Sequence, residues 1–148
     1  MEFPLVYESN REEQTRKLGW LLASELREND VVALSGPLGA GKTVFVRGLA
    51  EGLGADPLEV ASPTFALLHE YECRPGTPSL VHLDLYRIPD REEELREIGL
   101  PEVVSGKITA IEWPNSCCDA ILDVRYRVSL EAGPDDSRRI RLERGPGR

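Results

Sequence analysis

Apolar residues along this chain follow two different periods. Val31-Val32-Ala33-Leu34, Leu80 to Tyr86 and Ile108 to Trp113 are nearly continuous apolar runs of strand length. A strand covered on both faces reads this way. Ser9 to Arg27 repeats at helical spacing instead, with Leu18, Leu21, Leu22 and Leu26 on one face. Ser9-x-x-Glu12 and Asn10-x-x-Glu13 both fit a capping box, so the pattern marks the start of that helix twice. A second helix is predicted from Thr43 to Ala50, closed by Gly52 or Gly54. Leu5-Val6-Tyr7 reads as a short first strand, and Ala66 to Tyr71 as another that follows the rigid turn Ser62-Pro63-Thr64-Phe65. Arg74-Pro75-Gly76-Thr77-Pro78 is a hairpin-like turn into the Leu80 strand. Asp90 caps a short acidic helix, with Glu93 completing its box and Gly99 ending it. Val124 to Glu131 and Arg139 to Glu143 alternate like a closing antiparallel pair.

The segment joining the Val31 strand to the second helix carries the sharpest chemical signal. Gly36, Pro37, Leu38, Gly39, Ala40, Gly41, Lys42 and Thr43 form a complete Gly-x-x-x-x-Gly-Lys-Thr loop, and Val44 follows. Strand, glycine loop, helix is the context in which that motif cradles phosphates. Glycines let the backbone bend round an anion and aim its N–H groups inward, and the positive end of the next helix adds to that field. Lys42 suits the β- and γ-phosphates of a nucleotide such as ATP, and the Thr43 hydroxyl suits Mg2+. The order of elements predicts an α/β fold: a P-loop NTPase-like three-layer sandwich with a mixed, mostly parallel central sheet and the ligand at the carboxyl ends of its strands. One domain is expected over residues 1–144, with a disordered tail at 145–148.

Composition narrows the setting. The chain has 148 residues, 41% hydrophobic and 30% charged, enough for one domain with a proper core. No apolar run is long enough to cross a bilayer, and Met1-Glu2-Phe3-Pro4 does not begin a signal peptide, so a cytoplasmic protein without membrane contact is expected. Cys73, Cys117 and Cys118 form no metal-binding or disulfide pattern and read as ordinary residues. The net charge of −8 argues against holding nucleic acid directly, and means that local geometry must overcome a repulsive global field to bind a nucleotide.

A phosphate loop needs a further carboxylate to hold magnesium or its waters. Asp84 and Glu112 are each a lone acid at the end of an apolar run. As metal ligands they would complete the site; as structural residues they would cap a neighbouring helix or pair with an arginine such as Arg87. Thr64, after Pro63, is either a switch-like contact to a γ-phosphate or a turn threonine. His82, mid-strand, reads as a satisfied core histidine rather than a base. Tyr71, Tyr86 and Trp113 read as packing rather than base-stacking residues, and the acidic run from Asp90 to Glu97 as a solvated helix.

Taken together, Gly36-Pro-Leu-Gly-Ala-Gly-Lys-Thr43, Ser62-Pro-Thr-Phe65, His82-Leu-Asp-Leu-Tyr-Arg87 and Glu112-Trp-Pro114, in that order, closely resemble the TsaE (YjeE) family of small bacterial ATPases. The resemblance runs from about Ser9 to Pro114. It implies a part in making N6-threonylcarbamoyladenosine, the modified adenosine next to the anticodon of tRNAs that read codons beginning with A. Members bind the TsaD–TsaB pair that performs the transfer, and reach tRNA only through that complex. Carried over, Lys42 and the loop backbone hold the phosphates, Thr43 and Glu112 ligate magnesium, Asp84 supports hydrolysis by orienting water or metal, and Thr64 lies in a switch-like turn. Trp113 flanks the metal site, Thr15 matches a threonine close to the nucleotide, and Arg139 matches a C-terminal arginine near the base. Pro37 departs from the pattern, which usually has aspartate there. The alternatives are a GTP-driven switch, which lacks its Asn-Lys-x-Asp element here, and a small-molecule kinase, which lacks a clear arginine-rich lid after Glu112.

Overall fold

The strand that feeds the phosphate loop lies at the middle of the sheet. In chain order the elements are β1 (Leu5–Ser9), α1 (Glu12–Ala23), β2 (Val31–Ser35), α2 (Lys42–Leu53), β3 (Leu68–Tyr71), β4 (Leu80–Asp84), α3 (Glu92–Glu97), α4 (Leu100–Val104), β5 (Ile108–Glu112), β6 (Tyr126–Ala132) and β7 (Arg138–Arg144). This computed structural model describes every residue except 38, 61–67, 87, 89–90, 115–120 and 147–148. Leu38, the Ser62–Phe65 turn with Thr64, Arg87, the Asp90 cap, Cys117, Cys118 and the last two residues of the tail therefore lie outside the described residues. Gly145 and Pro146 are described, and their carbonyls accept hydrogen bonds from Arg125 Nη1.

Among the described residues seven strands form one sheet in the order β1-β7-β6-β2-β5-β4-β3. β2 pairs in parallel with β5 and β6, and β4 in parallel with β5. β7 opposes β6, β1 opposes β7, and β3 opposes β4. Five strands therefore run one way and two the other, the mixed and mostly parallel arrangement expected from the sequence. β2 has a strand on each side and helices on each face, which is why Val31, Val32, Ala33 and Leu34 are all buried.

Alternation along the strands splits the apolar residues into two cores. Val32, Leu34, Ile108, Ala110, Val128, Leu130, Ile140 and Leu142 pack with α1 and α2. Val31, Val81, Leu83 and Ile111 point the other way and pack with Leu95 of α3 and Leu100 and Val104 of α4. The result is the three-layer α/β sandwich. α1 and α2 lie almost backbone to backbone because glycines line their contact. A Cβ on Gly48 would sit 1.9 Å from the Arg16 carbonyl oxygen, and one on Gly19 would sit 2.2 Å from that of Phe45.

Local details differ from the expectation in four places. Ser9 belongs to β1, and α1 begins at Glu12 with Arg11 in the cap position and no side-chain cap, so neither capping box forms. The Ser9 hydroxyl is used on Thr15 and the Arg11 carbonyl instead. Leu21 is exposed, and the buried stripe of α1 is Thr15, Leu18, Gly19, Leu22 and Ala23. The acidic helix begins at Glu92 with Arg91 in the cap position and no side-chain cap. Gly99 closes this helix as expected, at φ 74, but also opens a further helix, α4, that the pattern did not show.

Candidate nucleotide and metal site

The loop leaves the carboxyl end of β2 through three glycines in conformations that other residues rarely adopt. Gly36 has φ 147, Gly39 φ 78 and Gly41 φ 103. At Gly36 a side chain has no room either, since a Cβ would meet the Leu130 carbonyl oxygen at 2.4 Å. Gly41 caps α2, so the unpaired N–H groups of the helix's first turn open onto the loop.

Lys42, the first residue of α2, is only 5% exposed. Its ammonium donates to the Gly36 carbonyl and, at 3.2 Å, to the Pro37 carbonyl. It also lies 3.7 Å from the centroid of the Trp113 ring, a cation–π contact. Burial pulls the Lys42 pKa below the ordinary lysine value, and the Glu112 and Asp84 carboxylates partly oppose that shift. Pro37 enters this arrangement through its carbonyl.

Glu112 ends β5 and is 3% exposed. Its Oε2 accepts from the Thr43 hydroxyl at 3.3 Å and from His82 Nε2 at 2.5 Å. Asp84 ends β4 directly beside it, as its partner across the β4–β5 register. Asp84 Oδ1 also accepts the Tyr86 N–H at 2.9 Å. Two carboxylates and a hydroxyl therefore meet at the phosphate end of the loop, all from the ends of parallel strands and the start of α2. Among the described residues no group of three or more His, Cys, Asp or Glu could cage a metal. Such a donor set fits magnesium, which takes one or two protein oxygens and completes its shell with water and phosphate. It does not suit calcium, which takes a larger oxygen cage.

The other side of the loop borders a cleft of about 230 Å³ between Thr15 of α1, Gly39 to Gly41, Val44 and Arg138. Thr15 is fixed there by a 2.7 Å bond to the Ser9 hydroxyl. Arg138 Nη2 donates to the Gly39 carbonyl at 3.2 Å. Arg139, the residue singled out from the sequence, does not line this cleft. Ile140 and Leu142 face α1 and α2, so strand alternation puts Arg138 on their side of the sheet and Arg139 on the other. The same alternation was available in the sequence. His82 was passed over as a site residue for a different reason: its link to Glu112 depends on β4 lying beside β5. The Trp113 ring lies 5.0 Å from that of Tyr86, on the Lys42 side of the loop.

A central parallel strand, a glycine loop gripping a lysine and a helix N-terminus aimed at that loop define an α/β protein of the P-loop class. The family profile described as threonylcarbamoyl adenosine biosynthesis protein TsaE matches residues 9–140. The chain belongs to the TsaE family. It is 39% identical over 129 residues to the tRNA threonylcarbamoyladenosine biosynthesis protein TsaE of Rickettsia conorii, covering 87% of this chain and 72% of that one. To the protein of the same description from Aquifex aeolicus it is 39% identical over 136 residues, covering 90% and 91%. The crystal structure of YdiB from Bacillus subtilis superposes with a TM-score of 0.71 at 28% identity, covering 98% of this chain and 88% of that one. Among the described residues no helix is long and apolar enough to cross a membrane.

Proposed function

We propose that this chain binds and hydrolyses ATP with Mg2+ as a subunit of the machinery that forms N6-threonylcarbamoyladenosine in tRNA, acting with the TsaD–TsaB pair. Family membership supports the pathway. The observation that carries the chemistry is the Lys42, Thr43 and Glu112 arrangement at one end of the loop. The loop N–H groups and Lys42 hold the triphosphate. Thr43 and Glu112 would hold magnesium, which supplies positive charge to the β- and γ-phosphate oxygens. Asp84, one strand over from Glu112, orients the attacking water. Thr64 keeps the switch-like role that the resemblance gives it. Thr15 and Arg138 border the nucleoside side, where Arg138 replaces Arg139 as the C-terminal arginine. Turnover by the chain alone is slow and is modulated by its partners.

Two measurements test this. Calorimetry with Mg-ATP shows saturable binding that Lys42→Ala abolishes, while Glu112→Ala keeps nucleotide binding and loses Mg2+-dependent phosphate release by a factor of about 100 or more. Nucleoside analysis of tRNA from cells depleted of the protein shows loss of threonylcarbamoyladenosine. Normal levels of the modified nucleoside in such cells would remove the pathway assignment, and wild-type turnover in Glu112→Ala would remove that residue from the site.

A further inference from the structure

The one fully buried histidine in the described residues lies against the carboxylate that the proposed site needs most. His82 is 0% exposed, and its Nε2 stands 2.5 Å from Glu112 Oε2. The carboxylate only accepts hydrogen bonds, so the network assigns the hydrogen of this contact to His82 Nε2. The two hydrogen bonds that the Glu112 side chain makes among the described residues, from His82 and from Thr43, both end on Oε2. Among the described residues no donor reaches Oε1. His82 Nδ1 is buried and has no hydrogen-bond partner among the described residues, so no second polar contact from them holds the ring. Packing holds it instead: the Tyr71 ring lies 6.3 Å away at a tilt, and His69, its cross-strand partner in β3, stacks on Tyr71.

We infer that His82 is a positioning residue which clamps Glu112 Oε2, the oxygen that Thr43 also holds, so that the carboxylate keeps one orientation toward the loop as a magnesium ligand. This inference rests on the ATPase reading given above. The physical case is one of rotation. A carboxylate at a strand end turns about its terminal torsion, which has broad and shallow wells. Thr43 alone, at 3.3 Å and itself assigned to the metal, does not stop that turning. The short bond from a ring locked between strands does, in the way that an outer partner orients a metal-binding carboxylate. A plain packing role would need no N–H aimed at Glu112.

Three substitutions separate the two roles. His82→Gln keeps an amide N–H at nearly the reach of Nε2. His82→Asn keeps the amide but is too short. His82→Leu keeps only apolar bulk. Electron paramagnetic resonance titration of Mn2+ into the protein–ATP complex, with steady-state phosphate release alongside, is expected to show a tenfold or greater weakening of Mn2+ and a similar fall in kcat for Leu and Asn. The metal-free ATP affinity stays within about twofold, and Gln recovers most of both losses. Equal losses in Gln, Asn and Leu that follow their melting temperatures would overturn the inference and leave His82 as core. So would wild-type Mn2+ affinity in Leu or Asn. If Leu does not fold, the comparison of Gln with Asn decides alone. Failure of the wild-type protein to take up ATP or Mn2+ would instead sink the ATPase reading itself, so the two failures are told apart.

Discussion

Lys42 is the residue on which the proposed site turns, and its burial sets a testable pH dependence. Only its charged form attracts phosphate. Burial lowers its pKa from the ordinary 10.5, against the pull of Glu112 and Asp84. The alkaline limb of kcat/KM, which reports the free protein, is therefore expected below the usual lysine range. Bound phosphates favour the charged form again, so the limb of kcat lies at higher pH. Stability moves the opposite way. The cost of burying the charge is present below the lowered pKa and is relieved as pH rises through it, so Lys42 adds nothing to alkaline unfolding in that window. Paired pH profiles of kcat and kcat/KM, with melting curves over the same range, check this; coincident limbs at an ordinary lysine value would contradict it. At this scale the bend at Gly36, Gly39, Gly41 and Lys42 was legible in the sequence, because glycines and a lysine at that spacing answer to a local backbone bend. The side of the sheet that Arg138 and Arg139 each take was legible too, through the Ile140 and Leu142 alternation. The clamp of His82 on Glu112 was not legible, because no local pattern states which strands are neighbours.

The pairing of α1 with α2 decides where the loop points. Gly48 and Gly19 let the two backbones approach, and a methyl group at Gly48 would have to displace the Arg16 carbonyl from 1.9 Å. Gly48→Ala gains about 1 kcal/mol in helix propensity. Overpacking against backbone, which cannot escape by changing rotamer, costs about 3 kcal/mol. The net loss of about 2 kcal/mol should lower the melting temperature by roughly 4–8 °C, with nucleotide affinity falling as α2 is pushed off its partner. An unchanged melting curve would show that the helices slide apart without cost. The sequence showed both helices but not this contact, since a glycine inside a helix pattern reads only as a weak point. It likewise showed the buried strands β2, β4 and β5, whose apolar runs follow from being covered on both faces. It did not show α4, because Gly99 at φ 74 ends one helix and opens the next. Nor did it show the missing cap of α1, where β1 runs through Ser9 and leaves only Asn10 and Arg11 as connection.

As a whole the molecule is an acidic body with a cationic point at one end of its sheet. The formal net charge is −8, whereas nucleic-acid binding draws on clustered basic groups that displace counterions. The purified chain should therefore show no saturable tRNA retention in filter binding at physiological salt up to about 100 μM, a range that spans ordinary non-specific affinities. Retention in the micromolar range would mean that a local basic surface overrides the global field. Nucleotide uptake escapes that field because the loop acts at contact distance, inside the screening length of about 8 Å.

Trp113 adjoins the ammonium of Lys42 at 3.7 Å, at the mouth of the same loop. Of the two tryptophans, Trp20 lies 48% exposed on α1, with the sheet's loop end elsewhere. The indole at position 113 thus makes the molecule its own optical gauge. Whatever draws the lysine off that ring changes the light it emits, so site occupancy is readable without a label on either the protein or the nucleotide.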